Sequence, residues 1–365
     1  MVTTIPSPHA LAAPVPPIPR ASDLGGPAQP LVIARDLVKH FPLKGALPGR
    51  TAGVVRAVDG VSFEVRKGET LGVVGESGCG KSTTARLLMQ LTAQDAGELI
   101  FDAQGVGSAQ LPMKRFRSQV QMVFQDSYSS LNPRLTIEQS IAFTPRVHGV
   151  PAGEAIGRAR HLLSRVGLDP LRFAGRYPHE LSGGQRQRVN IARALVLRPR
   201  LVILDEAVSA LDKSVEAQVL NLLMELKAEF DLTYVFISHD LNVVRYLCDR
   251  VMVMYLGKVA EIGDTETIYT RPAHPYTRAL LASMPSMDPD RRTVTPPLAG
   301  DPPNPIDPPS GCAFHPRCAM AEAVCARRAP VLTESAIGHP VACLMSAPGS
   351  GHSLAPGATA HAPGH

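Results

Sequence analysis

The chain has 365 residues, enough for one large domain or a main domain with an appendage, and its 44% apolar content can fill a sizeable core. A formal charge of +5 on scattered Lys and Arg argues against a nucleic-acid-binding stripe, and no run approaches the roughly 18 apolar residues of a membrane-crossing helix. The start, MVTTIPSPHALAAPVPPIPR, is broken by prolines and lacks the basic-then-apolar order of a secretory leader, so the chain reads as cytoplasmic.

Residues 1–30 are rich in Pro, Ala and Gly and are expected to form a disordered tail, because they cannot bury enough apolar surface to offset ordering entropy. The first buried strand is predicted at 70–74 (TLGVV), followed by a helix at 81–91 and a strand at 121–124. From 127 to 176 the apolar period is helical throughout, which predicts a helical insertion. A helix at 186–196, a strand at 201–204 (LVIL), a helix at 215–228 and a strand at 234–237 (YVFI) follow, then a hairpin-like pair over 251–263. Buried strands alternating with helices imply an α/β fold whose sheet is mostly parallel and covered on both faces. Pro-rich text then leads to Cys312, Cys318, Cys325 and Cys343, with five, six and seventeen residues between them, while Cys79 and Cys248 stand alone. In a cytosolic chain such a cluster suggests metal before disulfides, with reduced thiols as the plain alternative. His315 and His339, close by, are expected at the surface, and the tail from 346 to 365 is expected to be disordered.

The segment Gly75-Glu76-Ser77-Gly78-Cys79-Gly80-Lys81-Ser82 matches G-x-x-x-x-G-K-[ST], and it lies between a predicted strand and a predicted helix, the context that motif needs. Glycines let backbone N–H groups face a phosphate, and the helix N-terminus adds partial positive charge. Lys81 is expected to reach the β- and γ-phosphates of a nucleotide, and the Ser82 hydroxyl to ligate Mg²⁺; the loop alone says nucleotide binding and no more, since kinases, GTPases and motors share it. Downstream, LVIL ends in Asp205-Glu206, placing two carboxylates at the C-terminal end of a buried strand, where open α/β sheets bind ligands. Asp205 is assigned to Mg²⁺ and Glu206 to the attacking water as general base.

Leu181-Ser182-Gly183-Gly184-Gln185-Arg186-Gln187-Arg188 resembles the signature sequence of ABC ATPases almost letter for letter. The resemblance implies that Ser182, Gly183, Gly184 and Gln185, opening a helix, meet the γ-phosphate of ATP held by a facing subunit. It also implies that Gln125 touches Mg²⁺ and water, that Asp212 lies on the loop crossing between subunits, and that His239 contacts the γ-phosphate. Thr83 joins the phosphate-loop set. Phe41 falls where the family stacks an aromatic on adenine; by its spacing it can equally be a core residue. Ala207 stands where the family often has Pro. The implied fold is a P-loop NTPase core of the ABC type over residues 31–285, with an antiparallel β subdomain and a helical subdomain at about 127–180, followed by a small Cys-rich extension over 286–345.

VVGESGCGKSTTARLL, RYPHELSGGQRQRVNIARAL and PSGCAFHPRCAMAEAVC look like the peptide/nickel importer branch of that family. Ser127 departs from the Pro common there. This likeness implies two membrane-spanning permease subunits, a second and related ATPase subunit, an extracytoplasmic substrate-binding protein, and a place on the cytoplasmic face of the membrane. For the four cysteines it implies a [4Fe–4S] cluster, and a tetrahedral Zn²⁺ site stays open. Dipeptides or oligopeptides are the implied cargo, with nickel or another small solute as the second choice. A soluble, non-transport ABC ATPase is the alternative of a different class.

Overall fold

The structure is a computed structural model and describes residues 23–26, 28–44, 51–284 and 300–357. Two sheets organise it. The first is antiparallel, in the order β2 (Thr51–Val65), β1 (Val32–Lys44), β4 (Ala96–Phe101) and β5 (Gln104–Gly105). The second has eight strands, in the order β11 (Thr333–Glu334), β12 (Pro340–Val341), β10 (Lys258–Asp264), β9 (Arg250–Tyr255), β3 (Thr70–Val74), β8 (Thr233–Ile237), β7 (Leu201–Asp205) and β6 (Val120–Val123).

Strands β9, β3, β8, β7 and β6 run parallel, and every residue of β3, β7 and β8 is buried. That explains why TLGVV, LVILD and TYVFI read as continuous apolar runs rather than alternating ones: both faces are covered. The helices covering them include α1 (Lys81–Leu88), α2 (Met113–Gln119), α7 (Lys213–Phe230) and α8 (Leu241–Leu247). Tyr234, Phe236 and Val244 pack in one core on one side, and Val73, Leu87, Ile203 and Met252 in a second on the other.

The expected helical insertion consists of α3 (Ile137–Val147), α4 (Ala152–Arg165) and α5 (Pro170–Phe173). Thr136 opens α3 with a capping box shared with Gln139, and Ile137, Ile141, Ala159, Leu163 and Val189 bury the facing stripes against α6 (Gly183–Leu195). No helix among the described residues is long and apolar enough to cross a membrane.

After α9 (Thr265–Thr270) and α10 (Pro275–Ala282), the C-terminal extension joins the main sheet rather than hanging from it. Strand β12 pairs with β10 at Val341 and Glu261, and α11 (Ala323–Arg327) closes the cysteine loop through the Cys312 N–H to Cys325 O bond. Phe314 is buried among Tyr255, Tyr276 and His274.

Three expectations change here. His339, expected at the surface, is buried, with Nε2 2.7 Å from the fully buried Glu261 carboxylate. A carboxylate at that depth needs donors, and the Ala273 and His274 amides supply two more. Of the tail expected from 346, the described part up to 357 folds back: His352 is buried, with a ring nitrogen 3.0 Å from Met320 O. At the other end, the Leu24 and Gly25 amides, inside the expected first tail, donate to the Asp102 carboxylate, which also pairs with Arg200. Local composition cannot register partners so far away in sequence. Residues 1–22 and 27 of the first expected tail and 358–365 of the second lie outside the described residues.

Candidate active site

The phosphate loop leaves the buried end of β3 and enters α1. Gly80 has φ +106°, and a Cβ there would sit 2.2 Å from Ala57 O, so both conformation and space demand glycine. Ser77 and Gly78 are exposed at the mouth of the loop, while Cys79 and Lys81 are buried. The Lys81 ammonium curls over the loop, donating to Gly75 O at 2.8 Å and Glu76 O at 3.0 Å. Those carbonyls hold the cation where an incoming phosphate would exchange for them. Thr83, one residue beyond Ser82, is half-buried.

Ser82 Oγ donates to Asp205 Oδ1 at 3.0 Å, joining the start of α1 to the end of β7. Burial pushes the Asp205 carboxyl up, the Ser82 hydrogen bond opposes this, and the neighbouring Glu206 adds to the rise. A buried carboxylate crowded by a second one and touching a hydroxyl is the donor set that a hard divalent cation relieves, so Ser82 and Asp205 fit Mg²⁺.

Glu206 takes a left-handed backbone (φ 49°) with its N–H bonded to Ile237 O, which turns its side chain out of the strand. For a non-glycine residue this costs on the order of 1 kcal/mol, and such strain clusters at functional sites. The turned carboxylate accepts from Gln125 Nε2 at 2.8 Å and lies 3.5 Å from His239 Nδ1. Three residues from the ends of β6, β7 and β8, far apart in sequence, thus meet at one point. Gln125 and His239 are its exposed flanks, and a water held between a carboxylate and two polar side chains is what nucleophile activation needs.

Ser182 caps α6 in a box with Gln185, whose N–H lies 3.3 Å from Ser182 Oγ. The first turn carries no acidic residue. Gly184 is packed so closely that a Cβ would lie 2.5 Å from Val215 Cγ1 on α7, and Asp212 is exposed at the N-cap of that helix. Among the described residues no hydrogen bond links Ser182–Gln185 to Lys81, Asp205 or Glu206. Phe41 is 40% exposed on β1 with the Lys39 ammonium 5.5 Å from its ring centroid, a presented aromatic face rather than a core position.

Sequence reasoning missed the outer supports of this site. The Glu76 N–H donates to Tyr276 OH at 2.9 Å, and the Glu76 carboxylate pairs with Arg317. Lys213 bridges Asp240 and Glu216, tying the start of α7 to the loop after His239. The spacing of these residues along the chain carried no signal.

The four clustered cysteines all line one small cavity, with His315 and His352 at its wall. Burial raises the Cys312, Cys318 and Cys343 thiols, the last to about 11. Among the described residues no three His, Cys, Asp or Glu side chains stand in a metal-ligating arrangement. The thiols converge without being drawn to a common centre.

A phosphate loop, a hydroxyl–carboxylate cation seat and a Gln–Glu–His cluster at the ends of parallel strands define a P-loop nucleotide hydrolase. The chain belongs to the ABC transporter ATPase family. The family described as "ABC transporter" matches residues 58–209, and "Oligopeptide/dipeptide transporter, C-terminal region" matches residues 260–325. The chain is 50% identical to the oligopeptide transport ATP-binding protein AppF of Bacillus subtilis, over 85% of this chain and 95% of that one. It is 47% identical to the dipeptide transport ATP-binding protein DppF of Haemophilus influenzae, over 86% and 96%. Among solved structures it resembles cbiO1 of Clostridium perfringens, part of the cbiONQ ABC transporter complex, with TM-score 0.56 and 26% identity over 66% of this chain and 91% of that one. It also resembles a dimeric ATP-binding cassette in a post-hydrolysis state bound to ADP and Pi, with TM-score 0.55 and 27% identity over 64% and 98%. The chain is an ATP-binding and ATP-hydrolysing subunit that energises an ABC transporter.

Proposed function

We propose that this subunit drives the import of dipeptides or oligopeptides from the cytoplasmic face of the membrane, together with two membrane-spanning permeases and a second, related ATPase subunit. The observation that carries the reading is the match of residues 260–325 to the oligopeptide/dipeptide transporter C-terminal region, alongside an ABC core. The relatives named for oligopeptide and dipeptide transport support the same cargo. We take 31–285 as the ATPase domain and 286–345 as the extension.

Lys81 and the loop amides bind the β- and γ-phosphates, and Phe41 offers a face to the adenine. Ser82 and Asp205, with Gln125 nearby, would hold Mg²⁺, which would supply positive charge to the phosphates. Glu206 takes the proton of the attacking water, oriented by Gln125 and His239. The open, acid-free N-terminus of α6 supports a role in trans: Ser182, Gly183, Gly184 and Gln185 cap the γ-phosphate on the facing subunit, with Asp212 at the seam. The solved dimer of a related cassette is consistent with such pairing.

Between the core and the helical insertion lies a groove of about 380 Å³, with Leu91, Phe124 and Phe143 on its wall. All three are exposed apolar side chains, which favours a permease segment as the occupant and motion of α3 and α4 as its signal. For the four cysteines the reading is a [4Fe–4S] cluster, with Zn²⁺ as the second choice; it rests on their lining one cavity, and the thiols would have to draw together to ligate either, since they do not stand in a ligating arrangement. The iron centres of a cluster, or Zn²⁺, would supply the positive charge that lets buried thiols ionise.

The test is recovery of the tagged chain from its native membranes in mild detergent, with its partners identified by mass spectrometry. Two multi-span proteins and a second ATPase are expected. Recovery with ribosomes or DNA-repair proteins and no membrane subunit overturns the transport reading.

A further inference from the structure

The cysteine-bearing extension reaches directly into the phosphate loop. Arg317, on the loop between Cys312 and Cys318, donates from Nη1 to Glu76 Oε2 at 2.7 Å and from Nη2 to Glu76 Oε1 at 3.0 Å. Its side chain is 5% exposed, and Tyr255 OH lies 3.4 Å from Nη1. Glu76 is the second residue of the phosphate loop, and its peptide is held from both sides. Its N–H is bonded to Tyr276 OH, and its carbonyl accepts from Lys81 Nζ. Phe314 packs against both tyrosine rings, so the same short loop that carries Arg317 also sets the tyrosines.

The chemistry of this contact is pointed. ATP brings several negative charges to a loop that already carries the Glu76 carboxylate. In a site of low dielectric an unpaired carboxylate there repels the phosphates and competes for Lys81. A two-pronged guanidinium removes that charge and fixes the direction of the side chain. We infer that Arg317 is a positioning residue for the ATP site: the C-terminal extension neutralises and orients Glu76 through it, so ATP affinity depends on the cysteine loop keeping its shape. This rests on Gly75–Ser82 being the phosphate loop.

The test measures the Kd for ATP with Mg²⁺ on the full chain by displacement of a fluorescent ATP analogue, and KM and kcat for hydrolysis. Arg317→Met is expected to raise Kd and KM about tenfold, the usual range of a coupling between sites, with kcat within about twofold. Arg317→Lys recovers most of the loss, because it restores the charge without the fork. Glu76→Gln combined with Arg317→Met binds ATP more tightly than Arg317→Met alone, since no carboxylate is left unpaired. A merely structural role predicts the opposite, with the double variant as weak as the single one or weaker, and that result overturns the inference, as does an unchanged Kd in Arg317→Met. If Arg317→Met does not fold, Arg317→Gln, which also removes the charge but keeps a polar side chain, is compared in the native and Glu76→Gln backgrounds; an equal effect in both overturns the inference. Lys81→Ala loses ATP binding if the phosphate loop is correctly assigned, whatever Arg317 does, so the two failures are distinguishable.

Discussion

Acid should weaken this fold through one histidine, and the size of the effect can be worked out. His274 is buried at the start of α10, where its Nδ1 accepts the Tyr276 N–H at 3.0 Å. Accepting through Nδ1 requires the neutral ring. Burial pushes the pKa down from 6.5 to about 4, Glu261 works against that shift, and Arg278 adds to it. Between those values the unfolded chain binds a proton that the folded chain refuses, so stability is full above about pH 6.5 and falls as pH drops towards 4. A shift of this size corresponds to about 3 kcal/mol at about 1.36 kcal/mol per unit. His274→Asn keeps a side-chain acceptor for the helix start but cannot titrate. Urea unfolding of both forms from pH 7 to pH 4 should show the native chain losing about 3 kcal/mol more than the variant. Parallel pH profiles would show that His274 is not the group that titrates with unfolding.

Other expectations follow from the same geometry. Gly80→Ala places a Cβ against Ala57 O, and should destabilise the loop and abolish measurable ATP binding in an equilibrium titration. Asp205→Asn removes the carboxylate paired with Ser82, and should abolish the Mg²⁺ dependence of ATP binding, measured by calorimetry with and without the cation. Cys312→Ser with Cys343→Ser should eliminate any bound iron or zinc, read by elemental analysis of the protein after mild purification.

The parallel core was legible in the sequence because its strands are buried on both faces and leave uninterrupted apolar runs at 70–74, 201–204 and 234–237. The phosphate loop and the Asp205–Glu206 pair were legible because their chemistry is local. The two-residue strands β11 and β12 were not, since such a strand has no period to detect. Nor were the contacts that join the extension to the core: Glu76 with Arg317 spans 241 positions, and Glu261 with His339 spans 78. His339 looked like a surface residue because its partner on β10 is visible only once the extension adds a strand there.

Hydrolysis at Glu206 is proposed to drive peptide entry. The direct measurement is uptake of a labelled peptide by vesicles reconstituted with the co-purified complex and its substrate-binding protein, with ATP supplied on the side of this subunit. The native complex should accumulate peptide, while Glu206→Gln should bind ATP and hold it with turnover reduced about a hundredfold or more. Undiminished uptake with Glu206→Gln would show that Glu206 is not the catalytic base, and ATP hydrolysis that moves nickel and no peptide would rule out peptide as the cargo.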